Sequence, residues 1–224
     1  MPSPFLFAAA NSLIDLTTVD LVHQYVRLSR TKDDVLIQLC ITAASVEWIW
    51  RTGRAPEGPP PAKSPFVSPV AYDEVYDGSG SYRQFLRQWP IVSVESLALN
   101  GHAASPSTGF GYPGWIIDQG RKSLSLRSAA GQSPLGRASD GRGFTAGTQN
   151  VEVLYTAGFT QVPADIVRAC TQMVAVNYKR TAWLDQSSET MGSGGTSGTT
   201  AYRAWDVAPE IQKVIRNYTS DLAV

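Results

Sequence analysis

Apolar positions recur along the chain in four helical stretches separated by a central run of strands. Leu16 precedes Thr17-Thr18-Val19-Asp20, which offers a hydroxyl to an orphan backbone N–H and a carboxylate to the first turn. Leu16 and Leu21 are spaced for a hydrophobic staple, and Leu21, Val22, Tyr25 and Val26 share a face. Thr31 repeats the capping device ahead of Asp34. A second helix then carries Leu36, Leu39, Cys40, Ala43, Val46, Glu47 and Trp50 at steps of three or four, a stripe read as its packing face. Glu47 puts the outer end of that stripe at the surface. Gly53 and Pro56 stop the helix.

Six prolines, Pro56, Pro59, Pro60, Pro61, Pro65 and Pro69, make this stretch a stiff, extended connector. Residues 72–76 and 82–86 flank Asp77-Gly78-Ser79-Gly80, a strong turn signal that predicts a hairpin. Residues 91–99 alternate, with a slip between Val94 and Leu97 that predicts a bulge or a strand end. Asn100-Gly101 marks a turn. Residues 115–118 and 123–126 read as a pair around Gln119-Gly120, and 151–156 as the last strand, ending at Ala157-Gly158. Ten glycines between 101 and 150 predict long loops.

Pro163 opens a third helix, with Asp165 beside the positive end of its dipole. Ile166, Cys170, Met173, Val174 and Asn177 share its face, and it runs to about Trp183. Residues 185–204, rich in Gly, Ser and Thr, predict a flexible tether. A last helix starts near Pro209, with Ile211, Val214, Ile215, Tyr218 and Leu222 as its stripe. The predicted fold is α+β: a helical bundle of about four helices, the last on the tether, with an inserted antiparallel β region. The segments are 1–54 (N-terminal helices), 55–71 (connector), 72–158 (β-rich insertion), 159–184 (third helix), 185–204 (tether) and 205–224 (C-terminal helix).

The chain has 224 residues, 43% of them apolar, enough for a real core. Lys plus Arg and Asp plus Glu number 19 each, and this balance argues against a protein whose main work is coating nucleic acid. No run approaches the roughly 18 apolar residues of a membrane span, and the N-terminus lacks a basic leader pattern. Cys40 and Cys170 sit in predicted helices and read as buried free thiols, at home in a reducing compartment. With His23 and His102 they have no zinc-site spacing.

No catalytic constellation is visible, so no cofactor, metal or enzymatic site is expected. Gly109 to Gly114 matches G-x-G-x-x-G, but phosphate binding needs a strand before it and a helix after it, and a β pair is predicted to follow. Gly192 to Gly198 lacks a Lys-Ser/Thr ending, and no G-x-S-x-G elbow exists. One charge asymmetry stands out. Arg121, Lys122, Arg127, Arg137 and Arg142 face only Asp140 across residues 121–142, as a solvated loop or as a surface toward DNA or an acidic partner. Trp89, Trp115, Trp183, Tyr202 and Trp205, near ends and turns, suit interface anchors or core packing.

Three passages together resemble the head–tail connector (adaptor, or head-completion) proteins of long-tailed bacteriophages. The first is Leu16-Thr17-Thr18-Val19-Asp20-Leu21-Val22, Asp33 to Leu39, Ala43 to Glu47, and Arg54. The second is Tyr76 to Gly80, Trp89 to Val94, and Asn100-Gly101. The third is Val153 to Phe159 and Val162 to Ile166 with the helix after it. Their order and spacing, over residues 13–183, carry the resemblance. It implies a virion protein made in the host cytoplasm and placed in the neck: a ring, commonly of twelve copies, beneath the portal protein. Such a ring extends the DNA channel, passes DNA without reading its sequence, and meets a stopper or tail-completion protein. The proline-rich connector and the loops at 101–150 look longer than a minimal member needs.

An amphipathic helix on a leash can lay its apolar face on a partner. Trp205, Ile211, Val214, Ile215, Tyr218 and Leu222 are therefore the expected contacts with the portal or a neighbouring subunit; packing back on its own bundle is the alternative. Rival functions are a stopper or tail-terminator role in the same neck, and a module binding double-stranded DNA.

Overall fold

The computed structural model describes residues 13–28, 31–54, 63–109, 112–127, 143–181, 188–193, 196–201 and 207–219. The fold is mixed α+β. The chain divides into two units: a helical unit of residues 1–52 and 163–218, and a strand unit of residues 53–162 with 219–224.

The helical unit holds α1 (Val19–Val26), α2 (Asp34–Arg51), α3 (Ala164–Thr181) and α4 (Pro209–Tyr218). Thr18 caps α1 as its sequence predicts, its side chain accepting from the Leu21 N–H. α2 departs from the Thr31 prediction. Asp33 occupies its cap position with its carbonyl accepting from the Ile37 N–H at 2.9 Å, but its side chain makes no cap bond; the carboxylate accepts instead from the Tyr178 hydroxyl of α3 at 2.8 Å. Thr52 closes α2, its N–H and hydroxyl both reaching the Trp48 carbonyl.

α3 packs against α1, α2 and α4. Its predicted face holds: Ile166, Cys170, Met173 and Val174 are buried. The segment before α1 is fastened by polar contacts. The Leu16 N–H donates to Ser45 Oγ at 3.0 Å, the Thr17 and Thr171 hydroxyls bond at 2.6 Å, and Asp15 accepts from Gln38 Nε2 at 2.7 Å and Thr42 Oγ1 at 2.9 Å.

The faces of α1 and α2 correct the sequence reading. On α1 only Val22 is buried, while Leu21 and Tyr25 are exposed. On α2 the packed face is Ile37, Ile41, Ala44, Ser45, Trp48 and Ile49. The stripe read as its packing face lies mostly elsewhere: Leu39 and Ala43 are exposed and Val46 is half-buried, while Trp50, at the outer end that Glu47 puts at the surface, is exposed as expected. α2 is apolar on both sides, so periodicity alone could not choose the inner one.

Within residues 185–204, where composition predicts a tether, Ser188–Ser193 and Thr196–Ala201 pair antiparallel. β-branched threonines on both strands suit an extended backbone.

The strand unit has β1 (Val70–Gly78), β2 (Arg83–Phe85), β3 (Ile91–Leu99), β4 (His102–Ala103), β5 (Gly114–Ile117), β6 (Ser123–Arg127) and β7 (Gly147–Ala157); the hairpin strands above are β8 and β9. One sheet has the order β1-β7-β3-β4 and a second β2-β6-β5, all antiparallel. The bulge predicted in β3 appears as a register shift between Val94 and Ser96 against β7. Asn100 and Gly101, both at positive φ, turn β3 into β4, as Asn-Gly does in two-residue hairpins.

The hairpin predicted around residues 77–80 does not form. β1 pairs with β7 and β2 with β6, so the turn is a crossing between sheets. The backbone there bonds elsewhere: Gly80 N–H to the Phe144 carbonyl, Phe144 N–H to that of Ser81, and Gly78 N–H to the Asn150 side chain. Both sheets feed one core, with Leu86, Ile91, Leu97, Trp115, Leu124, Phe144, Val151 and Val153 among its members.

Candidate assembly surfaces

The described residues present an outward apolar helix face, a seated helix α4 and two buried polar clusters in the strand unit.

Wound at about 100° per residue, α2 places Val35, Leu39, Ala43, Val46 and Trp50 within an arc of about 80°. Val35 is 54% exposed, Leu39 52% and Trp50 50%, and no charged residue of α2 falls in this arc. Glu47 and Arg51, joined at 2.7 Å, border it. Isolated exposed leucines are ordinary, but a contiguous apolar stripe is the mark of an interaction surface.

α4 places its predicted stripe differently from the expectation of a free docking face. Ile211 is 3% exposed and Ile215 8%, in the contact of α4 with α3. Val214 and Tyr218 are half-buried, and the Tyr218 hydroxyl donates to both oxygens of Asp165 on α3, at 2.9 and 3.0 Å. In the isolated chain the apolar stripe is turned to α3, because that helix offers the nearest apolar surface. Trp205 and Leu222 lie outside the described residues, as do Trp183 and Tyr202. A cavity of about 370 Å³ opens beside the start of α4, lined by Met173, Val176, Val207 and Ile211 with Glu47 and Arg180 among its charged residues.

Of the five basic positions, Arg121, Lys122 and Arg127 are among the described residues. Arg121 is exposed at a positive-φ turn, and Arg127 is exposed and donates to the Gly109 carbonyl at 3.3 Å. The Lys122 ammonium lies 4.2 Å from the Trp89 ring centre. Arg137 and Arg142 fall outside the described residues. Trp115 belongs to the core, its indole N–H bonded to the Ala104 carbonyl at 2.9 Å.

Sequence reasoning missed two features. Arg54 is fully buried, with its guanidinium carbon 3.9 Å from the Trp89 ring centre, 5.3 Å from that of Phe66 and 5.8 Å from that of Phe159, and it donates to the Trp89 carbonyl. Planar and weakly hydrated, guanidinium tolerates such stacking better than ammonium. In the sequence Arg54 stands between a helix-ending glycine and the proline connector and in the first passage of the family resemblance, and neither place signals burial. The second feature is a tyrosine cluster. Tyr72, Glu74 and Tyr76 alternate onto one face of β1. Glu74 accepts from the Tyr76 hydroxyl and from that of Tyr155 at 2.6 Å, and the two hydroxyls lie 3.1 Å apart. The Arg87 and Gln88 N–H groups donate to these hydroxyls. Burial, followed by the neighbouring tyrosine and Glu74, pushes the Tyr155 phenol far above its usual range; burial and Glu74 raise Tyr76 and Tyr72.

Cys170 is buried beside Ser45 and its thiol is pushed up to about 12 by burial; burial also raises the half-buried Cys40. Both are free thiols. Among the described residues no group of three or more His, Cys, Asp or Glu could hold a metal ion, and no helix is long and apolar enough to cross a membrane. Gly114 of the glycine motif opens β5, not a helix, so the arrangement a phosphate would need is missing there.

No curated protein matches the chain. The profile of the Head completion protein family matches residues 15–220, a span that takes in α1 through α4 and both sheets. The match covers nearly the whole chain: the protein belongs to the Head completion protein family, bacteriophage structural proteins that complete the head during virion assembly.

Proposed function

We propose that this head completion protein is an adaptor subunit that forms an oligomeric ring, of about twelve copies, between the portal and a stopper or tail-completion protein in the virion neck. Double-stranded DNA passes through the ring without sequence recognition. The observation that carries this reading is the outward face of α2, apolar over the length of an 18-residue helix. Such a helix finds its stable state only when its second side is also covered. A chain with no net charge is suited to line a DNA channel without gripping its contents.

Portal docking is assigned to α4 and its flanks. Pulling Ile211 and Ile215 from α3 costs about 3–6 kcal/mol for two aliphatic side chains. α4 therefore docks while seated on α3, through its outward positions and the half-buried Val214. Removing residues 205–224 is expected to abolish capture by immobilised portal rings, with the strand unit still folded by circular dichroism. Undiminished capture overturns this assignment. Cryo-electron microscopy of the neck tests the whole reading: copies of the chain are expected around the open end of the portal, and a neck without them rules it out.

A further inference from the structure

We propose that the outward face of α2 is one half of a head-to-tail contact between copies of this chain, and that Leu21 and Tyr25 on α1 of the next copy are the other half. This rests on the ring reading above and names the residues through which the ring closes.

The occupant of the α2 face has to be apolar. From Val35 to Trp50 the helix runs about 22 Å, and no charged residue of α2 lies within the face. A closed ring also requires two different surfaces on each subunit, because a face in a cyclic contact meets a non-equivalent patch of its neighbour. The helical unit has a second apolar patch of the right form. Leu21 and Tyr25, 40% and 53% exposed, stand one turn apart on α1. They lie about 160–200° around that helix from His23, whose Nε2 pairs with Asp34 at the start of α2 at 2.8 Å. The patch therefore points away from α2 of its own subunit. Side chains at i and i+4 form the ridge that packs into the groove of a facing helix.

Area bears on the kind of contact. A strip about 22 Å long and about 10 Å wide covers far less than the roughly 800 Å² per partner of a stable pair. It suits a contact repeated around a ring and held by the portal, not a free-standing dimer.

The test uses assembled particles carrying the full chain with the photo-reactive amino acid p-benzoylphenylalanine at position 39, and, as the reciprocal arm, at position 25, where it replaces another aromatic. Irradiation followed by mass spectrometry of the digest is expected to join position 39 to residues 19–27 of a second copy, and position 25 to residues 34–51 of a second copy. Adducts only with another virion protein, adducts of α2 with α2, or no adduct from either position overturn the inference and leave the neck role standing. Particles that contain no copy of the chain overturn the neck role itself.

Discussion

Arg54 and Tyr155 each hold a polar group inside an apolar frame of the strand unit. Arg54→Ala removes a stacked, hydrogen-bonded guanidinium and empties the space between Phe66, Trp89 and Phe159. A loss of about 3 kcal/mol in the denaturant unfolding free energy is expected. Arg54→Lys is expected to lose most of the same amount, since ammonium cannot stack and is harder to dehydrate; a lysine variant with unchanged midpoint contradicts this account. The tyrosine cluster predicts a pH dependence. An unfolded tyrosine ionises near pH 10, and Tyr72, Tyr76 and Tyr155 are held above that value when folded. Their contribution is therefore complete below about pH 10 and falls as the pH rises further. Tyrosinate absorbance of the nine tyrosines, followed with circular dichroism, is expected to show a late group that ionises only as the strands melt. Ionisation of all nine ahead of melting counts against a buried cluster. Neither feature could be read from the sequence. Glu74 sits on an alternating strand, but its bond to Tyr155 depends on β1 pairing with β7 across a long sequence separation.

Elements were more legible than their partners. The α1 cap, the bulge in β3, the Asn100-Gly101 turn, the β5–β6 pair and the packed face of α3 all follow from local chemistry, and all are present. The hairpin around residues 77–80 failed because a turn signal states that the chain reverses, not which strand it will join. α2 failed for another reason: a helix apolar on two sides gives periodicity no preferred direction. This has a direct measurement. Ile41→Ala, on the packed side, is expected to cost about 2–5 kcal/mol of stability. Leu39→Ala, half a turn away and 52% exposed, is expected to cost less than about 0.5 kcal/mol. Equal losses in thermal or denaturant unfolding contradict the two-sided description. The candidate contact surface was thus present in the sequence as a stripe, but the stripe was assigned to the core.

For the molecule as a whole, the order of the chain and the order of the units differ. The helical unit is assembled from two segments that stand on either side of residues 53–162 in the sequence. α1 and α2 precede the strands β1–β7 in synthesis, while α3 and α4 follow them. A growing chain can therefore complete the two sheets of the strand unit while α2 still lacks α3 to rest on. The helical unit, and any contact made through it, is thus complete only after the strand unit has been synthesised.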